Sequence, residues 1–214
     1  MLGQEEAARV ALQKAVDSNA DFAGKDDART RLSLLAIDIG NAGARAELQD
    51  YLRKRPDDPV ALVRLATVQQ RDGDEDQAVK TYEKVITVSP SFAPATRALV
   101  LISAQRASDI KKAYDLALKV REAYPDDPEV GKALGILSYR QEFYARALEL
   151  LNESAAKRKG DAELLYYLGA TYRQLNDLPR CREALDRASR LRLAPRLMGE
   201  ARQMLAVCSE ASLP

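Results

Sequence analysis

The chain has 214 residues, of which 46% are apolar and 30% charged, and its formal net charge is +1. This balance gives no global attraction to nucleic acid or to an anionic membrane, so we expect neither as a partner. The sequence lacks histidine, the commonest general base and metal ligand. No nucleophile, phosphate loop or metal-ligand spacing takes its place, so we predict a non-catalytic protein without catalytic residues, metal or cofactor.

The hydropathy of the chain and its N-terminal residues help to predict the cellular location of the protein. No stretch of the sequence approaches 18 consecutive apolar residues, so no membrane span is expected. The start lacks the basic and apolar regions of a signal peptide. We therefore expect a cytoplasmic location by default, and an exported one if the chain is part of a longer secreted or lipoprotein precursor.

The two cysteines, Cys181 and Cys208, are 27 residues apart and form no CxxC pair. Without histidine neighbours they do not suggest a zinc site. They could form one disulfide, but the helical sequence around both favours two free cysteines that are buried in helices.

Residues 4–18 give the first predicted element, an amphipathic helix with Ala8, Leu12, Ala15 and Val16 on one face. Boundary signals then recur along the chain: Pro56-Asp57-Asp58-Pro59, Ser89-Pro90-Ser91, Pro125-Asp126-Asp127-Pro128 and Lys159-Gly160-Asp161. Proline suits a first helical turn, and aspartate or serine caps it. Each boundary therefore predicts the end of one helix and the start of the next.

The amino-acid pattern between these boundaries repeats along the chain. Leucines recur at spacings of 34, 35 and 34 residues, and small residues recur at spacings of 34, 35, 34 and 34 residues, at Ala44, Ala78, Ala113, Ala147 and Cys181. Within each repeat the apolar residues have the i, i+3, i+4 spacing of a helix, and a short polar turn divides the repeat near its middle. The pattern predicts helix pairs that must stack, because one pair cannot bury its apolar face alone.

These features resemble the tetratricopeptide repeat (TPR), a 34-residue helix–turn–helix. Leu168-Gly169, Tyr172 and Cys181 stand at the Leu-Gly, Tyr and Ala places of its pattern. The resemblance implies an all-α, right-handed solenoid of antiparallel helix pairs, with about five units. We expect residues 1–214 to form a single solenoid domain, in which 4–18 is a helix of a preceding partial unit, 25–58, 59–92, 93–127, 128–161 and 162–195 are repeats, and 196–210 is a capping helix.

The resemblance also implies a function, because ligands of such proteins often lie on the concave face formed by the first helices. Aligning the repeats predicts a partner-binding face that contains Arg29, Val63, Gln70, Arg97, Leu101, Lys132, Ile136, Tyr139, Tyr166 and Arg173. Such a face suits an amphipathic helix or an acidic peptide. It lacks the asparagines with which chaperone-tail binders hold two carboxylates, so that specificity is rejected.

We therefore expect a protein-binding scaffold. The alternative is a structural module that continues a longer solenoid, or that associates with copies of itself. The Asp- and Pro-containing boundary sequences resemble those of long bacterial TPR proteins. We expect the chain to be part of such a protein.

Overall fold

The computed structural model describes residues 2–18, 22–106 and 109–210, and the regular structure in these ranges is entirely α-helical. The helices that it describes are, in chain order, α1 (Leu2–Asp17), α2 (Lys25–Ala36), α3 (Ala44–Lys54), α4 (Pro59–Arg71), α5 (Glu75–Val88), α6 (Ala93–Gln105), α7 (Ile110–Ala123), α8 (Pro128–Arg140), α9 (Tyr144–Lys157), α10 (Ala162–Gln174), α11 (Leu178–Arg190) and α12 (Pro195–Glu210). None of them is both long enough and apolar enough to cross a bilayer.

The chain divides into two compact units, unit 1 (Met1–Ala95) and unit 2 (Thr96–Pro214). In unit 1, α1 packs on α2, and α4 packs on both α3 and α5. In unit 2, each helix from α7 to α12 packs on the next, and α10 also contacts α8 and α12. The division into repeats proposed above stays a prediction.

Aspartates at the predicted boundaries begin the first helix of a pair. Asp58 accepts hydrogen bonds from two backbone N–H groups of α4, and Asp127 does the same for α8. Asp161 caps α10 through the N–H of Leu164, at 3.0 Å. Pro59 and Pro128 follow their caps directly, where a missing N–H costs nothing.

Glycines let the paired helices of unit 2 approach each other closely. A Cβ on Gly135 would lie 2.8 Å from a Leu151 side-chain carbon, and one on Gly169 would lie 2.6 Å from Cγ of Leu185. Both leucines are fully buried, so neither side chain has free space to move into. The leucine of each second helix therefore fills the gap that a glycine of the first helix leaves.

We expect Gly169→Ala to lower the free energy of unfolding by about 1–3 kcal/mol, because the added methyl overpacks this contact. Denaturant unfolding measures the change. Gly199→Ala is the matched control, since no atom lies within 4 Å of a Cβ at that position in α12. There, alanine should stabilise by roughly 0.5–1 kcal/mol through helix propensity. Equal effects at the two positions would contradict the packing described here.

The cysteines correct an expectation. Cys181 of α11 and Cys208 of α12 form a disulfide, with Cα atoms 6.2 Å apart, and both are fully buried. The prediction of two free cysteines is therefore wrong. Cys181 occupies the small-residue position of its repeat, which faces a packed neighbour, and α12 places Cys208 directly against it. The bond joins the last two helices of unit 2.

Replacing both cysteines by alanine should lower the free energy of unfolding of unit 2 by about 2–4 kcal/mol. A reductant should lower the melting temperature of the wild-type chain and leave that of the double variant unchanged. If a thiol reagent labels two cysteines in unfolded, unreduced protein, the bond is not formed in solution.

Candidate partner-binding face

Two cations that the sequence assigned to the binding face are engaged within unit 2. Nε of Arg97 lies 2.6 Å from a carboxylate oxygen of Asp127. Nζ of Lys132 lies 3.0 Å from Asp161 and 2.9 Å from Glu163. Both aspartates also cap a following first helix, so each cation links one first helix to the start of the next. Charge reversal at either position would disturb the fold as well as any ligand.

Two other predicted residues lie inside unit 2. Ile136 is 2% exposed and Tyr166 4% exposed, and both belong to the core around α10 and α11. The Tyr166 hydroxyl donates to a Glu200 carboxylate oxygen of α12 at 2.5 Å. Burial and the Glu200 carboxylate raise the pKa of Tyr166, which keeps the hydroxyl protonated as a donor. In the isolated chain these two residues serve packing between helices.

The other predicted residues of unit 2 are partly or fully accessible. Leu101 and Tyr139 are half-buried, and Arg173 is exposed at the end of α10. The Tyr139 ring lies 5.6 Å from the Tyr167 ring and 5.7 Å from the Tyr144 ring, in edge-on and tilted contacts. Such contacts favour a fixed ring position.

In unit 1, the predicted residues are distributed along α2 and α4. Arg29 is exposed and pairs with Asp26 at 2.9 Å. Gln70 is exposed, and its side-chain oxygen accepts from the Tyr82 hydroxyl at 3.3 Å. Arg29 lines a polar depression at the start of α2, and Val63 lines a mostly apolar one, which is described next.

A groove of about 270 Å³ opens on the side of unit 1 where Val63 lies. Its walls come from α1, α2, α4 and the two residues on either side of the start of α6. We call it the unit-1 groove; it is lined by Glu5, Ala8, Leu12, Arg31, Leu35, Val60, Val63, Arg64, Phe92 and Pro94. The lining is mostly apolar and includes two arginines and one glutamate.

Arg64 is the only charged residue buried among the side chains that the structure describes, with 5% exposure. One terminal nitrogen of its guanidinium lies 3.0 Å from Glu5 of α1. The other donates to the carbonyl of Ile37 at the end of α2. Its Nε–H is buried and finds no acceptor in the described protein. One donor of this guanidinium is therefore available to a ligand carboxylate or carbonyl.

Neither Arg64 nor Glu5 was predicted from the sequence as a site residue. One residue before each repeat leucine stand Arg64, Ala98, Ala133 and Tyr167. Ala133 and Tyr167 are buried at this position. An arginine at a position where other repeats carry a residue that packs between helices could have indicated a special role. Only the structure shows which carboxylate it pairs with.

Lys132 and the backbone at the start of α10 determine the direction in which the pKa of Asp161 is shifted. Burial acts to raise the pKa of this carboxyl, but the N–H of Leu164 and the Lys132 ammonium outweigh it and hold the pKa below its usual value. The ionised form is therefore more stable in the folded chain than in the unfolded chain. No group of three or more metal-ligating side chains occurs among the described residues.

Asp161→Ala should lower the free energy of unfolding by about 2–4 kcal/mol at neutral pH, because it removes a helix cap and one of the two carboxylate partners of the half-buried Lys132. This contribution is fully present above about pH 4, the ordinary range of an aspartate, and is lost as pH falls through the lower folded-state pKa. Unfolding measured across this range should show the wild type and the variant converging in acid.

The matched control is Asp126→Ala, whose carboxyl is 95% exposed and pairs with the exposed Lys157. We expect it to change stability by no more than about 0.5 kcal/mol at any pH. A pH-independent loss at Asp161 would show that its charge is irrelevant to the cap.

Known proteins share both the repeat and the fold. A family model for the tetratricopeptide repeat matches residues 60–91. A TPR repeat-containing protein of Pseudomonas aeruginosa is 31% identical over 122 residues, which are 57% of this chain and 20% of the relative. The chain thus spans about a fifth of the length of the curated relative it matches.

Solved structures agree at the level of fold. MamA (residues 41 to the end) from Desulfovibrio magneticus RS-1 has a TM-score of 0.54 at 16% identity, covering 98% of this chain and 97% of that one. Cut9–Hcn1, described as an APC/C hetero-tetramer, has a TM-score of 0.61 at 17% identity, covering 99% of this chain and 41% of that one. The predicted all-α solenoid class is confirmed, and the chain resembles tetratricopeptide repeat proteins, with a matching repeat at residues 60–91.

Proposed function

We propose that this chain is a non-catalytic scaffold that binds an amphipathic helix or an extended peptide of a partner protein in the unit-1 groove. The observation that carries the proposal is the combination of an apolar groove with a buried arginine at its wall. Helix-in-groove recognition uses such a floor for apolar side chains and a few polar groups for orientation. The near-neutral net charge and the absence of histidine support a protein ligand over nucleic acid or a substrate.

The groove is preferred to the face of unit 2 for an electrostatic reason. In unit 2 the cations Arg97 and Lys132 already pair with boundary aspartates. Val63 stands at the equivalent place in the preceding repeat and carries no charge. Its side chain is half-buried and leaves apolar surface that a partner side chain can cover.

We also propose that the chain works in an oxidising compartment, which is the exported location that the sequence allowed. The buried Cys181–Cys208 disulfide supports this, because such bonds persist in secreted and periplasmic proteins and are rare in the cytosol.

Val63→Glu should weaken recovery of the partner about tenfold or more in a crosslinking pull-down from native extract, because it places a carboxylate on the apolar floor. Val88→Glu is the control, since Val88 is 39% exposed in the same unit and does not line the groove. Equal recovery by wild type and both folded variants would exclude the unit-1 groove. Mass measured against concentration in the same preparations tests self-association, the other role that the sequence allowed.

A further inference from the structure

Helix α1 lies at the unit-1 groove without being part of the core. Glu5, Ala8 and Leu12 are spaced three and four residues apart, so they share one face of the helix, and all three line the groove. None of the described α1 side chains, residues 5–17, is buried. Val10, on another face, is 47% exposed. An element with so little buried surface belongs to the part of a fold that opens most easily.

Helix α1 forms an ion pair with the buried Arg64 through Glu5. The side chain of Arg64 is 6% exposed and that of Glu5 is 41% exposed. Moving α1 away would therefore leave Arg64 buried without its carboxylate, which is unfavourable unless another carboxylate replaces it. Any segment that takes the place of α1 must therefore supply a carboxylate to Arg64.

We propose that α1 is an internal ligand of the unit-1 groove, and that the partner is an amphipathic helix that displaces α1 and presents a carboxylate to Arg64 in place of Glu5. The proposal rests on the proposed function, because it names the ligand chemistry and the regulation of the same groove. A partner without a suitably placed Asp or Glu is excluded by the unpaired guanidinium that it would leave behind.

Two features of the unit-1 groove favour the exchange of α1 for a partner helix over permanent closure of the groove by α1. The groove of about 270 Å³ remains open beside Ala8, so a helix with a larger apolar side chain at that place would bury more surface than α1 does. Glu5 reaches one terminal nitrogen of Arg64 and leaves Nε–H without an acceptor. A partner carboxylate or carbonyl that reached this N–H would satisfy a donor that Glu5 leaves unpaired.

The test uses the full chain and a labelled synthetic peptide with the sequence of residues 2–17. Glu5→Lys should release α1, since a lysine cannot pair with Arg64. The variant should then bind the free peptide at least about tenfold more tightly than the wild type, whose own α1 competes. Hydrogen exchange should rise in residues 5–17 and stay unchanged in α4. Glu6→Lys is the matched control, because Glu6 is 67% exposed and its ion pair is with Arg9 of the same helix.

A second peptide carrying Glu5→Gln tests the required carboxylate, and it should bind the Glu5→Lys chain about tenfold more weakly than the parent peptide. Leu12→Ser is a second way to loosen α1, which leaves the Glu5–Arg64 pair intact if Glu5→Lys fails to fold. The proposal falls if neither folded variant binds the parent peptide up to about 1 mM, the effective concentration that a short tether supplies. It also falls if the two peptides bind equally.

These outcomes separate the two proposals. Absence of peptide binding, together with loss of the partner in Val63→Glu, would refute the internal-ligand proposal and keep the groove as the partner site. Peptide binding together with undiminished partner recovery by Val63→Glu would refute the groove as the partner site and show that α1 closes it for another reason.

Discussion

The aspartate at the start of a first helix is the interaction on which this structure depends. Asp58, Asp127 and Asp161 each accept backbone N–H groups of the helix that they begin, and each also binds a cation from the preceding first helix. One carboxylate thus stabilises a helix end and fixes its position beside its neighbour. A charged acceptor at a helix N-terminus is favourable in itself, and the added cation offsets the burial of its charge.

The unit-1 groove lies where this interaction is missing. The boundary before α6 reads Ser89-Pro90-Ser91 and contains no aspartate, and Val63 stands where Arg97 and Lys132 stand in later repeats. Because valine cannot pair with a carboxylate, the place that an ion pair fills elsewhere is left apolar, and Phe92 and Pro94 line it. A local departure from the repeat pattern therefore coincides with the groove that we propose as the ligand site.

Arg64 adds the polar element that an apolar groove needs for specificity. A buried guanidinium tolerates few environments, since it requires acceptors in fixed directions and is costly without them. The same property that holds α1 by Glu5 would reject a partner without a carboxylate. In unit 2 the comparable positions carry Ala133 and Tyr167, which pack without such a requirement. The two units thus differ in chemistry while sharing the repeat.

The sequence by itself determined the helical class, the repeat period, the boundary caps and the small residues that let helices approach, because these follow from spacing along one chain. The sequence also predicted Val63 on the binding face of a first helix, and the role of this residue stays a prediction. Only the tertiary structure decided the pairing of Cys181 with Cys208, the ion pairs of Arg97 and Lys132, and the contact of Glu5 with Arg64. Each joins residues 27 to 59 positions apart.

Periodicity predicts which face of a helix is covered, but it does not specify which side chain of another helix covers it. That choice depends on how the helices pack and on the need of each buried charge for a partner.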